Sequence, residues 1–298
     1  MRIGVDVGGT KIEAIALDAE GVELKRIRTA TPKGDYEGTI GAIAGLVKQL
    51  ESETGQTATV GVGIPGTVVR STGLVKNANS IWLNGKPLQQ DMSKTLDREV
   101  RCANDANCFT ISEATDGAAR GYEVVFGVIV GTGCGGGVAF GGQIHNGPNG
   151  LAGEWGHTPL PWPRADELPG PMCWCGKRNC LELWIAGPSL ARDCDGPQAH
   201  DASRLPVRAA AGDIAARAAL VRHADRMARG LAVIVNVLDP DVIVLGGGLS
   251  NMEHLYVELP KLLKKYVFSD FVDTPIVRNR HGDSSGVRGA AWLWPLPG

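Results

Sequence analysis

Short apolar runs that end in polar or glycine-rich turns set the pattern of the first hundred residues. Arg2 to Val7 and Ile12 to Leu17 are two such runs, and the glycine turn between them predicts a β-hairpin. Residues 36–54 instead carry apolar side chains at helical spacing, and Gly55 supplies a helix stop. The alternation continues with predicted strands at 60–64 and 100–103 and predicted helices at 88–96 and 107–119. We therefore predict an α/β fold.

The pattern restarts in the second half of the chain. Ile3-Gly-Val-Asp-Val-Gly8 aligns with Phe126-Gly-Val-Ile-Val-Gly131, which indicates an internal duplication. Only the first copy has a carboxylate at its strand end, since Ile129 stands where the first copy has Asp6. After a strand at 124–130, a glycine turn and a return strand from 138, the sequence predicts helices at 181–193, 213–237, 252–266 and 284–294, with strands at 241–245 and 275–277.

Charge and hydropathy exclude several classes of partner. The formal net charge of −2 leaves no basic surface of the kind that binds nucleic acid or anionic membranes. No apolar run approaches the ~20 residues of a membrane span, and the N-terminal residues already read as a strand in place of a signal peptide. We expect a cytoplasmic protein that binds neither nucleic acid nor membrane.

A cluster of thiols in the second half predicts a metal site. His157, Cys173, Cys175 and Cys180 form a complete Cys3His ligand set, which suits a closed structural zinc site. The spacing is C-x-C-x4-C, so this is not an ordinary zinc finger. Free thiols or a redox pair are the alternative, but C-x-C is a poor disulfide spacing and a cytosolic chain keeps its thiols reduced. Two carboxylates, Glu154 and Glu182, flank the ligands as hydrogen-bond acceptors.

Three glycine turns follow short strands and predict contacts to phosphate, because bare backbone N–H groups can approach phosphate oxygens there. Asp6 precedes the first turn and suits a magnesium ion held through water, while Thr10 and Lys11 can meet phosphate directly. The second turn contains G-x-G-x-x-G, but a strand follows it where a nicotinamide site needs a helix. The predicted nucleotide-binding residues are Asp6, Gly8, Gly9, Thr10, Lys11, Gly131, Thr132, Gly133, Cys134, Gly135, Gly247 and Gly248.

Asn104-Asp105 is the strongest acid/base candidate. The pair follows a predicted strand and precedes a predicted helix, where a side chain can project into a cleft. Phosphoryl transfer needs an oriented nucleophile, and a carboxylate that accepts the proton of the attacking hydroxyl meets that need. The alternative is that Asp105 or Asn107 only caps the helix.

These motifs resemble the ROK family of sugar kinases and sugar-responsive repressors. The resemblance runs in order along the whole chain and is carried by Asp6-Val-Gly-Gly-Thr-Lys11, Asn104-Asp105, Gly131-Thr-Gly133, Glu154-Trp-Gly-His157, the cysteine box with Glu182, and Leu245-Gly-Gly-Gly248. Ile81-Trp-Leu-Asn-Gly85 and the segments that begin at Glu154 and His281 most resemble bacterial fructokinases (mannofructokinases). One departure is Asn179, where the family usually has glycine; asparagine tolerates left-handed backbone, so we expect the turn to survive.

The resemblance implies a two-domain, actin-like ATPase fold of the ribonuclease H-like type, with the active site in the interdomain cleft. It implies a first domain at 1–108, rejoined by a C-terminal helix at about 284–298, and a larger second domain at 109–283 that carries the zinc loop 157–180. Asp105 would be the catalytic base. The residues that would bind the sugar are Gly66, Asn79, Asn104, Asp105, Glu154, His157 and Glu182.

The implied function is phosphorylation of a free hexose with ATP and Mg²⁺, foremost D-fructose to fructose 6-phosphate, by a zinc-containing homodimer. Glucokinase, mannokinase and N-acetylhexosamine kinase activities stay open, as do the phosphorylated hydroxyl, polyphosphate as donor, and a tetramer. A sugar-sensing repressor is disfavoured because the first strand starts at Arg2, with no helix-turn-helix before it. A catalytically inactive sugar-binding module is disfavoured because Asp6, Asp105 and all three glycine turns are present.

Overall fold

The structure is a computed structural model that describes residues 1–282 and 285–294. The chain divides into two compact units: the first holds 1–121, 138–152 and the described residues from 280 onwards, and the second holds 122–137 and 153–279. These units keep the whole helix at 105–115 in the first unit, whereas the predicted domains divide at 108. The predicted domain limit at 283/284 and the end of the predicted C-terminal helix, 295–298, lie outside the described residues, and the domain limits stay a prediction.

The first sheet combines an antiparallel hairpin with parallel strands. Its members, in chain order, are β1 (Arg2–Val7), β2 (Lys11–Leu17), β3 (Glu23–Ala30), β4 (Thr59–Ile64) and β7 (Val100–Asn104), with a separate short pair β5 (Thr67–Val68) and β6 (Val75–Lys76). The spatial order is β3-β2-β1-β4-β7. β2 runs antiparallel to β1 and β3, while β4 runs parallel to β1 and β7. The predicted hairpin is present, and β3 is an additional strand that the sequence analysis missed.

The second sheet repeats this arrangement. It contains β8 (Val124–Val130), β9 (Cys134–Phe140), β10 (Gln143–Ile144), β11 (Val242–Gly246) and β12 (Ile276–Arg278) in the spatial order β10-β9-β8-β11-β12. β11 runs parallel to both β8 and β12. A hairpin on one side of the first strand and parallel strands on the other is therefore common to both sheets, which agrees with the predicted internal duplication.

Helices connect the strands. They are α1 (Tyr36–Thr54), α2 (Leu88–Leu96), α3 (Asp105–Thr115), α4 (Glu182–Ile185), α5 (Gly187–Asp195), α6 (Leu205–Ala210), α7 (Ile214–Leu238), α8 (Glu253–Leu263) and α9 (Ser285–Ala291), with short 3-10 turns at Ile81–Leu83, Trp155–His157, Ala165–Glu167 and Gly248–Asn251. α1 begins where the Asp35 side chain accepts a hydrogen bond from the Gly38 N–H and ends at Gly55 with φ of 68°. None of the helices in 1–282 and 285–294 has both the length and the apolarity that crossing a bilayer requires.

The single helix predicted at 181–193 is wrong, because α4 and α5 are separate helices. Ala186, between them, has extended backbone with ψ of 156°. Pro188 lies in the first turn of α5, where its missing N–H costs nothing. In one continuous helix from 181 it would lack the hydrogen bond to the carbonyl oxygen of Trp184, and its ring would clash with that carbonyl. The chain therefore turns between the two helices.

α9 packs its backbone directly against the first sheet. A Cβ atom at Gly4 would overlap the carbonyl oxygen of Val287, and one at Gly61 would overlap that of Ala290. Beyond the helix, the Trp294 indole N–H donates to the Val60 carbonyl oxygen at 2.8 Å. Glycine on the strands thus lets the end of the described chain close the first unit.

Gly61→Ala should lower the free energy of unfolding by about 1–3 kcal/mol, because the added methyl group must displace the α9 backbone. Denaturant unfolding measures this. Gly45→Ala is the matched control: Gly45 lies exposed in α1, and a Cβ there has no other heavy atom within 4 Å. That control should gain roughly 0.5–1 kcal/mol from helix propensity. A Gly61→Ala protein as stable as the wild type would contradict the close packing.

Candidate active site and metal centre

Parallel pairing brings the predicted catalytic segments to one edge of the first sheet. Asp6 of β1 lies opposite Gly63 of β4. Ile64, the last residue of β4, lies opposite Asn104 at the end of β7. Because the carboxyl ends of parallel neighbours meet at the same edge, Asp6 and Asp105 lie on one side of this sheet.

Asn104 is the N-cap of α3. Its Oδ1 accepts a hydrogen bond from the Ala106 N–H at 2.9 Å, and its Nδ2 donates to the Gly66 carbonyl oxygen at 3.2 Å. The alternative interpretation of the sequence gave the cap to Asp105 or Asn107, and this is wrong. Asp105 is instead the first residue of the helix.

Both carboxylates at this edge have a raised pKa. Desolvation raises the pKa of Asp105 above its ordinary value, although local hydrogen bonds oppose the shift. Burial raises the pKa of Asp6 to about 6; the charges of Asp105 and Glu13 add to this effect, and Lys11 opposes it. A divalent cation beside Asp6 would relieve that repulsion, so the pair fits the predicted magnesium role.

The first glycine turn presents its tip to solvent. The Gly8 N–H donates to the Lys11 carbonyl oxygen at 3.0 Å, which closes the turn between β1 and β2. Gly9 and Thr10 are exposed at the tip. The Lys11 ammonium lies 3.1 Å from the Glu13 carboxylate. The backbone at the tip of this tight turn is therefore accessible to a phosphate group.

Gly66, Asn79 and Asn104 are brought close together. Gly66 has φ of 111°, and a Cβ there would lie 2.6 Å from the Lys76 carbonyl oxygen and 2.7 Å from the Ala78 nitrogen. The chain after β4 therefore folds back onto Ala78, the residue that precedes Asn79. The Asn79 side chain itself is exposed. Since Gly66 also accepts the Asn104 amide hydrogen bond, these predicted sugar-binding residues form one neighbourhood.

The second and third glycine turns meet in the second unit. The Gly131 N–H donates to the Gly133 carbonyl oxygen at 2.9 Å, with Thr132 exposed at the tip. A Cβ at Gly131 would lie 3.7 Å from the Gly248 nitrogen. Gly247 has φ of 78° and packs against the end of β8. The two predicted phosphate turns are thus adjacent at the carboxyl ends of β8 and β11.

The predicted second turn at 131–137 is too long. β9 begins at Cys134, so Cys134 and Gly135 are strand residues. The Gly135 carbonyl oxygen accepts a hydrogen bond from the Trp155 indole at 3.0 Å. The glycines continue into the strand because neighbouring chain packs closely there: a Cβ at Gly136 would lie 2.8 Å from the Gly153 carbonyl oxygen. Close packing, which sequence pattern alone does not distinguish from a loop, explains these glycines.

The predicted metal ligands converge. The ligand atoms of His157, Cys173, Cys175 and Cys180 all lie within 4.8 Å of one another. His157 Nδ1 is 3.7 Å from Cys173 Sγ, and Cys175 Sγ is 3.5 Å from Cys180 Sγ. A tetrahedral zinc with bonds near 2.3 Å needs ligands ~3.8 Å apart. The donor set therefore fits a closed structural zinc site, in which the nitrogen nearest the thiols, Nδ1 of His157, would be the ligand atom.

Asn179 adopts the backbone that glycine would supply. Its φ is 64°, and its N–H donates to the Pro171 carbonyl oxygen at 2.9 Å. Its side-chain oxygen accepts a hydrogen bond from the Trp184 indole at 2.7 Å. The turn before Cys180 is thus formed with asparagine, as expected.

Glu182 joins the metal loop, residues 157–180, to the second glycine turn. Its Oε2 accepts a hydrogen bond from the Cys134 N–H at 2.9 Å, and its Oε1 accepts one from the Trp174 indole at 3.2 Å. The Trp174 ring also contacts the His157 ring edge-on, with centroids 4.9 Å apart. Glu154 is exposed and directly precedes the turn that carries His157. Sequence reasoning missed Trp174, although a tryptophan between two cysteines was a signal available to it.

A buried ion-pair network anchors the spacer between His157 and Cys173. Glu167 accepts hydrogen bonds from Arg226 and Arg229 of α7, each at 2.8 Å. Burial alone would raise the pKa of Glu167, but these guanidinium groups and a backbone N–H lower it to about 2. The metal loop is therefore held at its base by side chains that the sequence analysis did not single out.

The ROK family model matches residues 2–296. The chain belongs to the ROK family. It is 39% identical over 302 residues to an N-acetyl-D-glucosamine kinase of Haemophilus influenzae (strain 86-028NP), with 99% of each sequence covered. A solved ROK hexokinase from Thermus thermophilus has a TM-score of 0.87 and 33% identity, covering 99% of this chain and 98% of that chain. A ROK family glucokinase from Streptomyces griseus, in complex with glucose and AMPPNP, has a TM-score of 0.79 and 28% identity, covering 99% of both chains.

These relatives confirm the family of sugar kinases and the actin-like α/β fold that the sequence predicted. The coarser function, a sugar kinase, is confirmed with them. The finer prediction of a fructokinase gains no support, since the Haemophilus relative is an N-acetyl-D-glucosamine kinase. The roles of individual site residues, the homodimer and the cytoplasmic location stay predictions.

Cys175→Ser should abolish zinc binding, because a closed site with three remaining ligands loses most of its affinity. Metal analysis of the purified wild type should give about one zinc per chain. Unfolding should remain cooperative in the variant, since Glu167 and the α7 arginines still hold the loop base. Cys194→Ser, outside the loop, is the control and should retain its metal. Equal zinc content in the Cys175→Ser and wild-type proteins would rule out the site.

Proposed function

We propose that this chain is an ATP-dependent N-acetylhexosamine kinase, with N-acetyl-D-glucosamine as its preferred acceptor. The observation that carries the proposal is the 39% identity to an N-acetyl-D-glucosamine kinase over 99% of both sequences. Fructose rests on the resemblance of short motifs and stays as a competing acceptor. Glucose stays as a second one, because the Streptomyces griseus relative was solved with glucose and AMPPNP.

The proposed reaction transfers the terminal phosphoryl group of ATP to a sugar hydroxyl. The hydroxyl oxygen forms a bond to the γ-phosphorus, the bond from that phosphorus to the β,γ-bridging oxygen breaks, and ADP leaves. The hydroxyl proton passes to the Asp105 carboxylate. A raised pKa suits this role, because it makes the carboxylate a better proton acceptor.

The remaining residues bind and orient in this proposal. Hydrogen bonds to the Ala106 N–H and the Gly66 carbonyl oxygen hold the Asn104 side chain in one orientation. A sugar hydroxyl bound at Asp105 would therefore lie beside a side chain that does not rotate freely. The glycine turns would hold phosphate oxygens, and Asp6 would hold Mg²⁺ through water to neutralise the triphosphate. The other proposed sugar-binding residues are Gly66, Asn79, Glu154, His157 and Glu182.

Zinc has a structural part in the proposal. The protein itself offers four ligands, so a bound zinc would keep no open position for water or substrate. His157 would bind it through Nδ1, which would fix the tautomer and leave the Nε2–H as a hydrogen-bond donor. We propose that this donor meets a sugar hydroxyl.

A panel of acceptors tests the substrate. With ATP and Mg²⁺ saturating, ADP release should give the highest kcat/KM with N-acetyl-D-glucosamine, measured against N-acetylmannosamine, glucose, mannose and fructose. We expect at least about tenfold discrimination over glucose, since a site that hydrogen-bonds an amide loses that bond with a hydroxyl analogue. A higher kcat/KM for fructose or glucose would refute the assignment while leaving a sugar kinase.

Asp105→Asn should lower kcat by roughly 10²–10⁴ with the fold intact, the usual contribution of a positioned base. Asp97→Asn is the matched control: Asp97 is exposed at the end of α2 with φ of 51°, a backbone conformation that asparagine accepts. It should keep wild-type turnover. Near-wild-type kcat for folded Asp105→Asn would remove Asp105 from the role of base.

A further inference from the structure

Trp174 is far more exposed than a tryptophan that stabilises a core. It lies between the ligands Cys173 and Cys175, and 70% of its surface is accessible to solvent. Tryptophan contributes to folding mainly by burying its large ring. The contacts that this ring makes therefore do little for the core, and their effect falls on the groups it touches.

Those groups are two of the proposed sugar-binding residues. The Trp174 indole N–H donates to Glu182 Oε1 at 3.2 Å. Its ring meets the His157 imidazole at a centroid distance of 4.9 Å and an interplanar angle of 87°, the edge-to-face arrangement that aromatic rings favour. One side chain thus restrains the carboxylate through a hydrogen bond and the imidazole through packing.

The restraint on Glu182 extends to the second glycine turn. Glu182 Oε2 accepts the Cys134 N–H at 2.9 Å, directly after that turn. A Cβ at Gly133 would lie 2.9 Å from the same oxygen, so the carboxylate packs against the turn itself. The indole, the carboxylate and the backbone amide form a bridge from the metal loop to the turn.

We propose that Trp174 is a positioning residue that aims Glu182 and His157 at the acceptor sugar and, through Glu182, fixes the Cys134 amide beside the glycine turn. The sugar part of this inference rests on the proposed function. The bridge itself rests on the three contacts alone. Because the indole holds one carboxylate oxygen and the strand amide holds the other, Glu182 can accept a sugar hydroxyl only on its remaining lone pairs, in a fixed direction.

Two substitutions separate the contacts. Trp174→Phe keeps an aromatic ring beside His157 but removes the N–H that Glu182 accepts, whereas Trp174→Ala removes both. Trp162→Phe is the matched control, since Trp162 lies in the same segment, is 51% exposed, and stacks on Tyr266. The zinc content of all three variants should equal that of the wild type, because none changes a ligand.

Steady-state kinetics test whether Trp174 positions Glu182 and His157 toward the sugar. The assay uses the sugar that the wild type phosphorylates best. Trp174→Phe should raise KM for sugar about tenfold, as expected for loss of a hydrogen bond to a charged group, with kcat changed less than about twofold. Trp174→Ala should raise it further, and Trp162→Phe should match the wild type. In a Glu182→Gln background, Trp174→Phe should raise the KM for sugar less than about twofold further, because its effect passes through the Glu182 carboxylate. A further tenfold rise in KM in the Glu182→Gln background would overturn the positioning role. So would an unchanged KM for Trp174→Phe in the otherwise wild-type protein.

Hydrogen exchange tests the bridge without any substrate. In Trp174→Phe the Cys134 amide should exchange faster than in the wild type, because its acceptor has lost its second restraint. Trp162→Phe should leave that exchange unchanged. If the wild type phosphorylates no sugar of the panel, the proposed function fails while faster exchange still supports the bridge. Unchanged exchange in Trp174→Phe would refute the bridge whatever the substrate.

Discussion

Parallel pairing of strands is the constraint on which the candidate site depends. β4 lies between β1 and β7 and is parallel to both, so the three strands must end at one edge. Asp6, Gly66 and Asp105 lie at or just after the ends of those strands and are therefore gathered at that edge. In the other sheet, the same pairing of β8 with β11 joins two glycine turns. A shift of one residue in either register would separate groups that lie far apart in sequence.

The contacts of the metal loop orient its side chains, including His157, which the strand ends alone do not do. Backbone hydrogen bonds within the loop, such as the one from the Asn179 N–H to the Pro171 carbonyl oxygen, are joined by three further kinds of interaction. These are the Cys3His donor set, the buried Glu167–arginine network and the bridge through Glu182. A metal bound by the first would fix the tip of the loop, the second holds its base, and the third links the loop to the glycine turn. Each acts on a different part of the loop, so the orientation of His157 does not depend on one contact alone.

The sequence predicted what is locally encoded. The helix at 36–54 was found because its apolar side chains recur at helical spacing and Gly55 marks its end, and the metal ligands were found because thiols rarely cluster by chance. β3 was missed because it is an edge strand whose charged side chains are mostly exposed, so its apolar pattern is weak. The bridge from Cys134 to Trp174 was missed because it joins residues forty positions apart, and no spacing rule reports such a contact.

The position of α9 has a consequence for how the protein is made. The first unit contains the earliest strands and also the helix whose backbone fits against Gly4 and Gly61. During synthesis, the face of that sheet that α9 covers stays exposed to solvent until residue 291 has left the ribosome. The chain of the second unit emerges earlier and in one nearly continuous stretch, 153–279. Ribosome-bound intermediates would therefore expose apolar strand surface near the N-terminus, a surface suited to chaperone binding.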